Sequence, residues 1–119
     1  MKRLFFPLLA GLLWLMSGTL SAAERTYNVL FIQSYTKNTP WHSLLTENLE
    51  NGLKKGGVRA NIITEYLNAD YWSFASECFI MRRICQRARQ RKTDLIVTSS
   101  DEAFFTLTHC GDSLPYQIP

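Results

Sequence analysis

Apolar runs and helical spacings alternate along the chain from residue 29 onward. Residues 29–32 (VLFI) are an unbroken run of β-forming side chains, typical of a strand covered on both faces of a parallel sheet. After a polar loop, Thr39 can cap a helix, Pro40 fits its first turn, and Gly56 with Gly57 ends it. Apolar residues between these signals recur at spacings of three and four, which predicts one buried helical face. They are Trp41, Leu44, Leu45, Leu49 and Leu53.

A second strand and a second helix follow this first pair. Residues 58–67 predict a more polar strand, at or near an edge of the sheet. Residues 68–70 (NAD) turn the chain, and a long helix is predicted over residues 71–91. Its apolar positions are spaced four, three, four and three, so they are expected to face the core together. They are Phe74, Cys78, Met81, Cys85 and Ala88.

The third pair is shorter. Residues 95–98 (LIVT) predict a strand, and Ser99 with Glu102 forms a capping-box pattern for a helix. That helix is expected to bury Phe104 and Leu107. The order β-α-β-α-β-α predicts an α/β fold that opens a doubly wound parallel sheet. We expect the sheet to be incomplete, with an apolar third strand at an open edge, and residues 24–119 not to form a stable monomer.

The first 23 residues have the pattern of a secretory signal peptide. Lys2 and Arg3 precede an apolar stretch over residues 4–20, and the small residues 21–23 (SAA) predict cleavage after Ala23. An uncleaved membrane anchor is the alternative, since the apolar stretch is near the lower limit for a span. Either reading implies export. Removing Lys2 and Arg3 from the 13 basic residues leaves 11, against 10 acidic ones.

Composition and missing motifs exclude several classes of function. Hydrophobic residues make up 46% and charged residues 19%, so the chain is neither disordered nor collagen-like. The near-zero charge of residues 24–119 argues against nucleic-acid binding. No glycine-rich phosphate loop and no zinc spacing of Cys and His occurs, so we expect neither a cofactor nor a metal. Cationic residues cluster late in the second helix, off its apolar face, and are expected to be a solvated surface. They are Arg82, Arg83, Arg87, Arg89, Arg91 and Lys92.

Three cysteines constrain the possible disulfides. Cys78 and Cys85 on one helix would lie about 10 Å apart, too far to pair with each other. At most one of them can therefore pair with Cys110. The apolar spacing favours the alternative that Cys78 and Cys85 are buried free thiols, because a free cysteine packs as a small hydrophobe.

Candidate ligand-binding residues lie where the first and third strands end. Ser34 and Tyr35 follow the first strand, and polar residues 99–101 follow the third. If these strands are neighbours, with the second outside, the two loops lie side by side, where ligands of such sheets bind. Two roles are equally open for Trp41: it can stack on a ligand, or it can pack its helix against the sheet. The candidate residues are Ser34, Tyr35, Trp41, Ser99, Ser100 and Asp101.

The same residues carry a resemblance to a known family. The strand that runs into Ser34 and Tyr35, Pro40 with Trp41 at the next helix, and residues 94–101 (DLIVTSSD) resemble substrate-binding-protein-like sensor domains of the ABC-transporter type. These have a periplasmic binding protein type I fold. Residues 118–119 (IP) resemble the approach to that family's fourth strand. The chain differs where the family often shows paired acids, since it has Ser100 before Asp101.

The resemblance implies a non-enzymatic periplasmic domain that binds or senses a small solute in a cleft between two lobes. Residues 24–119 would be the N-terminal part of the first lobe, belonging to a free binding protein or to the extracytoplasmic sensor of a histidine kinase or diguanylate cyclase. The hydroxyls and Asp101 would hydrogen-bond the ligand, and the helix that starts at Ser99 could favour an anionic group. Partners would be the solute and an inner-membrane transporter or signalling protein, with no nucleic acid.

Two alternatives to a binding domain are a small exported α/β hydrolase and a non-functional gene fragment. Ser34, His42 and Asp101 supply the residue types of a catalytic triad, but no GxSxG elbow accompanies them.

Overall fold

The computed structural model describes residues 24–111, which alternate three strands with three helices. In chain order these are β1 (Thr26–Gln33), α1 (Trp41–Lys55), β2 (Arg59–Tyr66), α2 (Phe74–Gln90), β3 (Leu95–Ser99) and α3 (Ser100–Cys110). Each lies within a few residues of its sequence-predicted position. The signal peptide over residues 1–23 and the approach to a fourth strand at 118–119 lie outside the described residues. No helix of the described part is long and apolar enough to cross a bilayer.

The three described strands form one parallel sheet in the order β2-β1-β3. In the middle of the sheet, Phe31 lies opposite Thr64 of β2 and Val97 of β3. This order meets the condition that the first and third strands are neighbours. The described part of the chain is therefore an α/β sheet structure, as the alternating pattern predicted.

Most of the core lies between the sheet and the helices α2 and α3. β1 is the central strand, and its residues from Val29 to Ile32 are at most 3% exposed, as expected for an apolar run covered on both faces. A cluster of buried apolar residues joins alternate positions of β1 to the inward faces of α2 and α3. It contains Leu30, Ile32, Leu67, Met81, Ile84, Cys85, Ala88 and Ala103.

The expected buried face of α1 is wrong at the start of the helix, although Leu49 and Leu53 are half-buried. Trp41 is 52% exposed, Leu44 is 56% exposed and Leu45 is 36% exposed, while His42 is the buried residue of this helix. The reason is the placement of α1, which packs against β2 at one side of the sheet. Leu45 and Leu49 line an open space between α1 and the strands β1 and β3 instead of a closed core. Spacing identifies an apolar face but does not identify what that face contacts.

The predicted buried faces of α2 and α3 are confirmed in part. Met81, Cys85 and Ala88 are buried as expected, whereas Phe74 at the first turn of α2 is 47% exposed. Phe104 is also wrongly predicted, since it is 61% exposed. The buried positions of α3 are the smaller residues at spacings of three and four, because α3 packs closely against α2. They are Ala103, Thr106 and Cys110.

A disulfide joins α2 to α3 and corrects the expectation that Cys78 is a free thiol. Cys78 bonds to Cys110, with the two Cα atoms 5.2 Å apart. Cys85 is free and buried, as the apolar spacing predicted. The cross-helix pair forms because α2 and α3 lie side by side, and this packing is not encoded in the spacing along either helix.

Candidate ligand-binding site

Ser34 links the ends of β1 and β3 and is fully buried. Its hydroxyl donates to the Ser99 carbonyl at 2.7 Å and accepts the backbone N–H of Ala103 at 2.9 Å. The Ser100 hydroxyl lies 2.7 Å from the Ser34 Oγ. Ser34 thus satisfies a free N–H at the start of α3, while Ser99 makes no side-chain cap bond. The expected capping box between Ser99 and Glu102 is replaced by a cap from another loop.

Ser100 makes the turn from β3 into α3. Its φ is 64°, in the left-handed region that non-glycine residues rarely adopt. The Ser100 Oγ lies 2.7 Å from both the Ser34 Oγ and the Ser99 carbonyl oxygen, and its single proton is donated to one of them at a time. The turn leaves Ser100 exposed at the carboxyl edge of the sheet.

Tyr35 and Glu102 form a second bridge between the two loops. The Tyr35 hydroxyl donates to Glu102 Oε1 at 2.9 Å. The pKa of Tyr35 is raised, first because this bond holds its proton. The pKa of Glu102 is lowered, mainly because its own backbone N–H bonds the carboxylate, and further by Tyr35 and Ser100. The phenol is therefore protonated and Glu102 ionised at neutral pH.

A cavity of about 400 Å³ lies between α1 and the strands β1 and β3, within the size range of small-molecule sites. One part of its lining is apolar and consists of Phe31, Leu45, Leu49 and Val97. The remainder gathers at the carboxyl ends of the strands and consists of Tyr35, Trp41, His42, Thr98, Ser99 and Ser100. An apolar floor with polar groups at one end suits a small organic molecule.

Four of the six sequence-predicted residues line this cavity, and two do not. Tyr35, Trp41, Ser99 and Ser100 contribute to its wall. Ser34 lies fully buried, with its hydroxyl engaged by the two loops, and Asp101 is exposed on the first turn of α3. The structure thus brings both loops together at one edge of the sheet. Ser34 holds Ser99 and Ser100 in place by hydrogen bonds without lining the cavity itself.

His42 also lines the cavity, although the sequence pattern suggested it only as the histidine of a catalytic triad and not as a ligand-binding residue. It is 2% exposed, its ring lies 5.6 Å from that of Tyr66, and its Nδ1 has no hydrogen-bond partner in the described part of the chain. Burial lowers the pKa of His42, while the backbone of Thr36 and the charge of Asp70 act in the opposite direction. The imidazole is therefore neutral at pH 7. Position 42 follows Trp41 on α1, and only the placement of that helix turns it inward.

Ser34, His42 and Asp101 do not form a catalytic triad at this edge of the sheet. Within residues 24–111, no hydrogen bond joins His42 to Ser34 or to Asp101, and the Ser34 hydroxyl donates to a backbone carbonyl instead. The described residues also contain no group of three His, Cys, Asp or Glu side chains that could hold a metal ion.

The chain matches no protein-family model, no curated protein and no solved structure.

Proposed function

We propose that this protein binds or senses a small solute in the periplasm, as the N-terminal part of the first lobe of a periplasmic binding protein type I fold. The observation that carries the proposal is the cavity at the carboxyl ends of β1 and β3. Ligands of open parallel sheets bind at that edge. A free binding protein and the extracytoplasmic sensor of a histidine kinase or diguanylate cyclase would use the same cavity.

The chemistry of the cavity supports binding in preference to catalysis. Tyr35 and Trp41 offer aromatic faces, and Ser99 and Ser100 offer polar groups beside them. A hydrolase would need a hydroxyl held by a base. The hydroxyl of Ser34 is instead bonded within the loops, which leaves the exported hydrolase without a supporting observation.

The disulfide supports the proposed location. Cys78–Cys110 links two helices, and such bonds persist in oxidising compartments such as the bacterial periplasm. This agrees with a signal peptide over residues 1–23, cleaved after Ala23. Mass spectrometry of a periplasmic extract should find Glu24 as the first residue, whereas a full-length product in the membrane fraction would contradict cleavage.

The proposed binding function is tested by screening the protein against solutes and then changing one wall residue. Amino acids, amines, sugars and small carboxylates at millimolar concentration are tested for a rise in melting temperature, because a ligand that binds only the folded state stabilises it. Trp41→Ala should weaken binding of any hit about tenfold or more, equal to about 1.4 kcal/mol.

Trp72→Ala is the matched control for this experiment. Trp72 and Trp41 are both 52% exposed, but Trp72 lines a different cavity beside Phe79 on α2. The control should bind the solute as tightly as the parent. Equal loss of affinity in both variants, or in neither, would contradict the proposed site, and the absence of any hit would contradict the proposed function.

A further inference from the structure

One carboxylate bonds the cavity residue Tyr35, and two more lie on the neighbouring segments at the same edge of the sheet. Glu102 bonds the phenol directly, Asp101 precedes it on the first turn of α3, and Asp70 lies in the loop after β2. The pKa of Tyr35 is raised first by the bond to Glu102 and by burial, and then by the charges of Glu102, Asp101 and Asp70. All three negative charges therefore act on one wall of the cavity.

The start of α3 is poorly suited to bind an anion through its backbone N–H groups. The backbone N–H of Ala103 already has a partner, since the Ser34 Oγ accepts it. This cap makes the helix start less suited to an anionic group than the sequence pattern suggests. An anion here would also meet the carboxylates of Asp101 and Glu102 in the first turn.

His42 adds an independent sign of a ligand in the same cavity. Its ring forms part of the wall, it is 2% exposed, and its Nδ1 is unpartnered in the described part of the chain. Buried polar atoms are nearly always hydrogen-bonded, so an unpartnered one calls for a partner from outside. A neutral imidazole has one accepting nitrogen, which suits a ligand N–H or O–H group.

We propose that the cavity binds a small organic cation: an ammonium group attached to an apolar or aromatic body. This inference rests on the proposed function and names the ligand class of that site. The apolar floor takes the body, and the aromatic faces of Tyr35 and Trp41 attract a cation. The carboxylate of Glu102, which accepts the hydroxyl of the wall residue Tyr35, supplies the countercharge.

The test compares three probes that share a phenyl ring and are close in size but differ in charge. Phenethylamine is a cation at pH 7, 2-phenylethanol is neutral, and phenylacetate is an anion. Dissociation constants come from NMR titrations of the ¹⁵N-labelled protein. We expect phenethylamine to bind at least tenfold more tightly than phenylacetate, with 2-phenylethanol between them, and to weaken as salt screens the carboxylates.

Glu102→Gln identifies which charge is responsible. It keeps an oxygen that accepts the Tyr35 hydroxyl and removes the charge, so phenethylamine should bind about three- to tenfold more weakly while 2-phenylethanol is unchanged. Glu50→Gln is the matched control, since Glu50 lines a separate groove beside Thr26, at the opposite end of β1. The control should leave all three constants as in the parent.

The outcomes separate this inference from the function on which it rests. Equal or tighter binding of phenylacetate, or no effect of Glu102→Gln on phenethylamine, overturns the cationic ligand and leaves solute binding intact. If none of the three probes binds while the solute screen yields a neutral or anionic ligand at Trp41, the cationic ligand is likewise overturned. If neither the probes nor the screen give binding, the proposed function fails as well.

Discussion

Ser34 is the residue on which the geometry of the carboxyl edge depends. Its one hydroxyl donates to the Ser99 carbonyl and accepts from Ala103, so it ties the end of β1 to both the end of β3 and the start of α3. Its side chain reaches no cavity wall. The positions of Tyr35, Ser99 and Ser100 follow from these bonds.

Ser34→Ala should destabilise the protein by about 1–3 kcal/mol, because it leaves the buried N–H of Ala103 without its partner. Urea unfolding followed by circular dichroism measures the change. Ser43→Ala is the control, since Ser43 is an exposed residue of α1. Equal unfolding midpoints for Ser34→Ala and the parent would show that the hydroxyl is not structural.

His42 should make stability depend on pH in the mildly acidic range. Burial lowers its pKa below the ordinary 6.5, so the unfolded chain takes up a proton first as the pH falls. The free energy of unfolding should therefore decrease as the pH falls below about 6.5. The carboxyls of Asp94 and Glu102 have lowered pKa values, so their contributions are lost only at lower pH.

The measurement compares urea unfolding at several pH values for two histidine variants. His42→Gln should flatten the dependence around pH 6, whatever its effect on stability at pH 7.5. His109→Gln, which changes an exposed histidine near the end of α3, should retain the parent's dependence. A parent-like slope in His42→Gln would contradict the assignment.

At the scale of elements, the sequence predicted the secondary structure of each segment well. It predicted less well which other elements each segment contacts. The apolar run at 29–32 and the turn signals located the strands, whereas the order β2-β1-β3 entered the site prediction only as a condition. The stripe at Trp41 and Leu45 predicted a helix correctly but not its contact, because packing against β2 depends on residues far along the chain. The same limit applies to His42 and to the pairing of Cys78 with Cys110.

The candidate site follows the same rule. Topology alone brings Tyr35 next to Ser99 and Ser100, so these three could be identified from strand ends. The role of Ser34 could not be identified from the sequence. Its hydroxyl caps α3 by accepting the backbone N–H of Ala103, which is 69 positions away along the chain. Asp101 was selected for its place after a strand, whereas whether its side chain reaches the cavity depends on the turn at Ser100.

The disulfide should contribute strongly to holding α2 against α3. It closes a loop with a sequence separation of 32. The chain-entropy model gives roughly 3–4 kcal/mol for a loop of this length. Reduction should therefore lower the free energy of unfolding by about 2–4 kcal/mol in urea titrations with and without a reductant.

Cysteine variants provide the controls for that titration. Cys85→Ala retains the disulfide and should keep the full response to reductant, whereas Cys78→Ala should lose it. A protein whose unfolding midpoint does not move on reduction would contradict a structural role for the disulfide.

At the scale of the whole molecule, large apolar residues are exposed on both sides of the sheet. Leu44 on α1 is 56% exposed, and Phe79 on α2 is 61% exposed. Exposed apolar surface favours association. We therefore expect the purified protein to self-associate as its concentration rises, which sedimentation velocity measures. Leu44→Lys should reduce the association and Ser43→Lys should not; a parent that stays monomeric at every concentration would contradict this.

The central claim is that a solute binds at the carboxyl edge of β1 and β3. Chemical-shift mapping on ¹⁵N-labelled protein tests it most directly, using the solute that raises the melting temperature most. We expect the shifts to concentrate on the backbone amides of Tyr35, Ser99 and Ser100 and on the indole N–H of Trp41. Shifts confined to the surface around Trp72 and Phe79, or no shifts at saturating solute, would contradict it.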